Sequence, residues 1–306
     1  MKLAHAIKAA AFVLGAGMLA PGLASAQCNV DNLQAGLNRD CTVQVGGMTR
    51  EFDVRVPRDR SSITTVMVDS HGFTSTKEGQ ARLSGLTALV DSMGVVLIND
   101  QGIANSHNSG NGQNFRGNRC CGTALSQNVD DIGFIQAAVT AVESSLGLKR
   151  DDIVRVQAGL SNGGAQTNFA FCTIGEFFDV YAPVSFPLPA DLQGCQAAEG
   201  TIYNEFHGSA DTLVNPAGSD ALNSRKVTEI QSIAELRGCD MQPQMSQLNR
   251  NTTCQTFTGC DGGGSVGMCL VEGGPHVLYG SIARPDNYPV AVGRMIEQAR
   301  ELKQAR

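Results

Sequence analysis

Apolar and polar positions along this chain recur in two different periods, and the difference separates strands from helices. Residues 42–45 and 50–56 alternate apolar and polar around Gly46 and Gly47, which predicts a hairpin with one solvated face. Residues 63–68 and 95–98 carry no charge and are mostly β-branched or aliphatic, the mark of strands covered on both faces. A helix is expected between them over 78–93. Further on, Ile132, Ile135, Val139, Val142 and Leu146 step by three and four, one apolar stripe on a helix capped by Asn128 or Asp130. Strands follow at 152–158, 180–184 and 201–206, then a helix at 221–236 and a strand pair at 254–257 and 266–271. A last helix runs from Pro289, which suits a first helical turn, to about residue 303. Strands alternating with helices predict an α/β fold, a mainly parallel central sheet with helices on both faces. Residues 101–127 show no period, and a loop of that length is either functional or disordered. The doublet Cys120-Cys121 at its far end predicts that it is pinned.

The first 26 of the 306 residues read as a secretory signal peptide: Lys2 and Lys8, an apolar run over 9–20, and Ala24-Ser25-Ala26 before Gln27. The remainder, 27–306, is expected to be one catalytic domain, exported after the signal peptide is removed to the periplasm or the extracellular space. No later segment reaches 18 uninterrupted apolar residues, so no membrane anchor is expected. Losing Lys2 and Lys8 makes the net charge of −6 more negative still, and with no basic run nucleic acid is excluded as a partner.

All ten cysteines, Cys28, Cys41, Cys120, Cys121, Cys172, Cys195, Cys239, Cys254, Cys260 and Cys269, lie beyond the signal peptide. An even count in an exported chain reads as a disulfide set. A zinc site would want Cys-x-x-Cys or clustered histidines; neither occurs, and neither metal nor other cofactor is expected. Closure of the shortest loops suggests Cys28–Cys41, Cys239–Cys254 and Cys260–Cys269. Cys120 and Cys121 would then share Cys172 and Cys195, or bond to each other.

Candidate chemistry concentrates at Gly159-Leu160-Ser161-Asn162-Gly163. Gly-x-Ser-x-Gly between a strand and a helix is a nucleophile elbow, a turn tight enough to expose the serine hydroxyl at the carboxyl edge of a sheet. A neutral serine needs a base, a group that orients the base, and donors for an oxyanion. In the elbow arrangement these follow in the order serine, acid, histidine. Of five histidines, only His276 sits in a turn-rich segment with room for an acid before it. Asp211 opens a loop after the 201–206 strand and fits the acid better than Asp220 or Asp240, which lie near helix ends. His207 ends a strand, and a packed or hydrogen-bonded role is expected of it. Ser70-His71-Gly72-Phe73-Thr74 follows the earliest buried strand, so the backbone N–H of Phe73 or Thr74 would join that of Asn162 in an oxyanion hole, with His71 as a loop anchor.

Taken together, His71-Gly72-Phe73-Thr74-Ser75, Cys120-Cys121-Gly122, Asn128-Val129-Asp130-Asp131-Ile132-Gly133-Phe134, the elbow, His207-Gly208-Ser209-Ala210-Asp211 and Gly273-Gly274-Pro275-His276 resemble one family. It is the secreted polyhydroxybutyrate depolymerase-like and feruloyl esterase group of α/β-hydrolases. The resemblance implies a disulfide-stapled α/β-hydrolase fold, with Ser161, Asp211 and His276 as nucleophile, acid and base, and structural roles for Asp130 and Asp131. The family often has a tryptophan two residues after the histidine, where this chain has Leu278 and no tryptophan anywhere.

The expected function is therefore a secreted serine esterase working through an acyl-enzyme, with a polyester or oligoester as first substrate class and feruloyl or acetylxylan esters of plant polysaccharide as the alternative. A catalytically dead binding protein on the same scaffold is the competing reading. The Asn- and Gly-rich loop 106–119 is either a wall of the cleft or a solvated insertion.

Overall fold

The uncharged runs become the interior of a sheet. The computed structural model describes residues 28–110, 120–188, 192–214, 225–278 and 284–305; the expected signal peptide, residues 111–119 of the 106–119 loop and Asp220 lie outside them. Ten described strands form one sheet: β1 Gly36–Val45, β2 Met48–Val56, β3 Thr65–Ser70, β4 Val95–Asp100, β5 Val154–Leu160, β6 Val180–Val184, β7 Ile202–Gly208, β8 Gln244–Asn249, β9 Thr252–Phe257 and β10 Ser265–Val271. Their order is β1-β2-β4-β3-β5-β6-β7-β10-β9-β8. The six inner strands from β4 to β10 are parallel, and an antiparallel hairpin closes each edge.

Within a continuous apolar strand the side chains still point alternately to opposite faces. Val66 and Val68 of β3, with Val96 and Ile98 of β4, join Phe134, Ile135, Ala138, Val139 and Val142 of helix α4 (Asp131–Leu146). Met67, Val95 and Leu97 on the other face meet Leu89 and Val90 of α2 (Ala88–Met93) and Val292, Met295 and Ile296 of the carboxyl-terminal helix, Arg284–Gln304. Each such fully buried aliphatic side chain contributes about 1.5–3 kcal/mol relative to exposure. The strand register thus fixes two cores from one sequence pattern, as α/β layering requires.

Four local expectations change. The helix expected over 78–93 is two, α1 Lys77–Leu83 and α2, because Gly85 turns the chain at φ +71°. A short α3, Gly122–Ser126, follows the cysteine doublet. β8 has no counterpart in the sequence reading, since an exposed edge strand of polar residues has no apolar face to betray it. Arg284–Gln304 begins five residues ahead of Pro289, which lies inside the helix. The strand and helix that flank Ser161 and the helix capped by Asp130, whose carboxylate accepts from Gly133 N–H, fall where the pattern puts them.

The disulfides need correction. Cys28–Cys41 forms, Cys172 pairs with Cys195 and Cys120 with Cys121, but the remaining pairs are Cys239–Cys260 and Cys254–Cys269. Shortest-loop closure fails here because β9 and β10 run antiparallel with Cys254 directly opposite Cys269.

Candidate active site

Ser161 stands between β5 and helix α5 (Asn162–Thr173) with φ +55° and ψ −115°, a conformation that a non-glycine residue holds only where its surroundings enforce it. Both flanking glycines are required by close approach. A Cβ on Gly159 would lie 2.5 Å from the Gly163 carbonyl carbon, and one on Gly163 would collide with the carbonyl of Ser70. The Ser161 N–H donates to the Val184 carbonyl at 2.8 Å, which ties the turn to the end of β6.

Two loops at the same edge of the sheet carry Asp211 and His276. β7 and β10 are parallel neighbours, with Gly208 opposite Val271. Beyond them the chains stay joined: Ser209 N–H donates to Val271 O at 2.9 Å, Ala210 N–H to Gly274 O at 3.0 Å, and Gly273 N–H to Ser209 Oγ at 2.8 Å. Gly208 leaves no room for a Cβ against the Gly274 carbonyl. This zipper brings His276 Nδ1 to 2.7 Å from Asp211 Oδ2. Burial opposes ionisation of Asp211, but hydrogen bonds from His207, His276 and Val214 N–H outweigh it and hold the carboxyl well below the usual range. An ionised Asp211 accepts from Nδ1–H of His276 and leaves Nε2 as the basic nitrogen. Asp240, the rival acid, instead lies against Gly259.

His276 is also tied to the end of β6, the strand beside β5. Ser185 Oγ donates to the His276 carbonyl at 2.7 Å, one residue beyond the Val184 carbonyl that takes the Ser161 N–H.

His71-Gly72-Phe73 crosses close to the elbow: a Cβ on Gly72 would lie 3.5 Å from Ser161 Cβ. Thr74 N–H donates to Asn105 O at 2.9 Å, so it is not a free oxyanion donor, contrary to expectation. Phe73 N–H has no acceptor among the described residues. Asn162 opens α5, where an N–H has no intrahelical acceptor. His71 is an anchor: its Nδ1 meets Gly72 O at 2.7 Å and its Nε2 accepts from Gly102 N–H at 3.0 Å. Burial lowers its pKa to about 4, so the ring is neutral.

Sequence reasoning missed Arg50 and the side-chain partners of Asn162 and Asp131. The Asn162 side chain clamps the loop, accepting from His107 N–H at 2.7 Å and donating to His107 O at 2.9 Å. It also lies 3.6 Å from Cys120 Sγ, while Cys121 N–H bonds the His107 carbonyl. Behind this stretch, buried Asp131 accepts from Arg50 and from Asn108 N–H, both at 2.5 Å. Burial raises the Asp131 carboxyl to about 6 against the pull of Arg50. Arg50 keeps step with Phe52, Val54 and Val56 on the buried face of β2, and that alternation is the signal that could have found it; Asn162 was legible only through its place after the serine. Among the described residues no group of three or more His, Cys, Asp or Glu is placed to hold a metal ion, and no helix is long and apolar enough to cross a membrane.

The strand order and the strand–turn–helix elbow after β5 give the chain the α/β-hydrolase fold. Among known proteins it is similar to feruloyl esterase B of Piromyces equi, 26% identical over 176 residues that cover 54% of this chain and 31% of the relative. The chain thus matches about a third of that relative's length. Its fold resembles an acetyl xylan esterase from Aspergillus awamori, with a TM-score of 0.59 at 15% identity over 87% of this chain and 99% of the other. It also resembles an S-formylglutathione hydrolase from Agrobacterium tumefaciens, with a TM-score of 0.52 at 10% identity over 85% and 94%. No protein-family model matches.

Proposed function

We propose that this protein is an exported serine carboxylesterase that acts on feruloyl or acetyl esters of plant polysaccharide. The observation that carries the reading is the 2.7 Å bond between His276 and Asp211 at the sheet edge where the elbow presents Ser161. Ser161 Oγ attacks the ester carbonyl as His276 Nε2 takes its proton, and Asp211 stabilises the imidazolium. Phe73 and Asn162 N–H groups receive the oxyanion. His276 then returns the proton to the leaving alcohol, and water releases the acid by the same steps in reverse order.

The order of substrates follows the relative in sequence, a feruloyl esterase, rather than the polyester class that the motifs first suggested. Five disulfides among the described residues support export. The test is a panel of methyl ferulate, acetylated xylan, hydroxybutyrate oligomers and p-nitrophenyl esters, run with the wild type and Ser161→Ala. Wild-type turnover of the first two, lost in Ser161→Ala, is the expected result. Faster hydrolysis of hydroxybutyrate oligomers would restore the polyester reading. No turnover and no labelling by a fluorophosphonate probe would leave a binding protein.

A further inference from the structure

Asp211 accepts four hydrogen bonds, and only one comes from the base. Oδ1 takes the N–H groups of Leu213 and Val214 at 2.9 Å each, whereas Oδ2 takes His276 Nδ1 at 2.7 Å and His207 Nε2 at 3.1 Å. A carboxylate offers about four lone-pair sites, so this one is saturated and its rotation locked. His207 is the one side-chain partner besides His276. Its ring is fully buried, and its two nitrogens meet oxygens: Nδ1 faces Glu205 Oε1 at 2.8 Å, and Nε2 faces Asp211 Oδ2 and the Val214 carbonyl at 2.9 Å. A neutral imidazole has one acceptor nitrogen, which between two carboxylates would face a lone pair. An imidazolium donates on both sides.

We propose that His207 is a positioning residue: held as an imidazolium between buried Glu205 and Asp211, it locks and charge-balances the acid that orients His276. The four groups then alternate in sign along Glu205, His207, Asp211 and His276. Their summed charge passes from −1 to zero when His276 takes the serine proton, so the transition state relieves a buried charge instead of creating one. Other ionisable groups near this row are Tyr203 on β7 and Glu229 on helix α6 (Arg225–Leu236), whose charges reach Tyr203 together with Glu205.

The kinetic part of the test rests on the esterase reading, and the spectroscopic part does not. In wild-type protein carrying 15N-labelled histidine, both His207 nitrogens are expected to be protonated at neutral pH. Glu205→Gln keeps an acceptor oxygen but removes its charge, so loss of the His207 proton should move down by about one pH unit or more. On p-nitrophenyl acetate, His207→Gln is expected to lower kcat about 10-fold or more with KM within about twofold. Losing a cation beside Asp211 strengthens that carboxylate's hold on the His276 proton. The acid limb of kcat/KM should therefore rise by about half a pH unit or more. An unprotonated His207 nitrogen in the wild type overturns the proposal, and so does a His207 titration indifferent to Glu205→Gln. A His207→Gln rate loss with an unmoved acid limb assigns the side chain to packing alone and overturns it too. Should the wild type hydrolyse no ester, the esterase reading fails while the two NMR results still decide the state of His207.

Discussion

Ser185 Oγ donates to the backbone carbonyl of His276 at 2.7 Å, holding the His276 loop to the end of β6. Ser185 has φ +53°, and its own N–H donates to Phe206 O at 2.8 Å, so the side chain is aimed by a fixed backbone. The same strand end takes the Ser161 N–H, and the two halves of the proposed catalytic unit therefore hang from adjacent residues. Ser185→Ala removes the only side-chain link among these and leaves every reacting atom in place. A net hydrogen bond is worth about 1 kcal/mol, so kcat on a p-nitrophenyl ester should fall roughly 5- to 10-fold with KM little changed. An unchanged kcat would mean that the zipper between Gly208 and Gly274 positions His276 unaided.

Legibility in the sequence followed how local each constraint is. The turn at Ser161 could be read because it demands Gly159 and Gly163 within two residues, and the contact of Asp211 with His276 because chain order leaves few alternatives. The inner strands were legible since burial on both faces leaves a continuous apolar run. The ion pair of Arg50 with Asp131 was not: its partners are 81 residues apart, and neither position names the other. Thr74 was misread for a related reason, because the acceptor of its N–H, Asn105, sits in a loop without periodicity. The cysteine pairs failed where sheet register, invisible to a count of loop lengths, decides which sulfurs meet.

Peptide mapping without reduction should recover Cys254 joined to Cys269 and Cys239 joined to Cys260. The first pair closes a separation of 15 residues, and the chain-entropy model assigns about 3 kcal/mol to such a loop. Replacing both Cys254 and Cys269 by alanine should lower unfolding free energy by about 2–4 kcal/mol in urea titrations. Recovery of Cys239 with Cys254 would mean that β9 and β10 pair in another register.

Asp69 makes stability depend on pH in an unusual direction. It is fully buried at the end of β3, and burial raises its carboxyl to about 7 despite hydrogen bonds from Ser84, Gln80 and Asn99. The folded state thus holds this proton more tightly than the unfolded chain, where the ordinary value is 3.8. The resulting stabilisation is complete below about pH 4, declines as pH rises toward 7 and is absent above it, with an upper bound of about 4 kcal/mol. Asp69→Asn keeps an oxygen for Gln80 Nε2, which donates at 2.7 Å in the wild type, and removes the titration. Urea unfolding at pH 4.5 and 8 should show the wild type losing more stability across the interval than the variant. Parallel profiles would place the proton elsewhere.

Phe73 is expected to connect the proposed oxyanion loop to substrate choice. Its ring is 50% exposed, although Gly72 before it approaches Ser161. On one side the ring lies so close to Gly122, the residue after the cysteine pair, that a Cβ there would come within 2.5 Å of Phe73 Cε2. An aromatic surface braced in this way beside the proposed nucleophile is suited to cover a flat acyl group, and stacking adds about 0.5–1.5 kcal/mol to the area buried. Phe73→Ala keeps the backbone N–H that the oxyanion would use. The variant should therefore lose about 10-fold in kcat/KM on methyl ferulate while p-nitrophenyl acetate stays within about threefold. Equal losses on both esters would instead show that the ring shapes the loop, because a disturbed oxyanion donor penalises every acyl group alike.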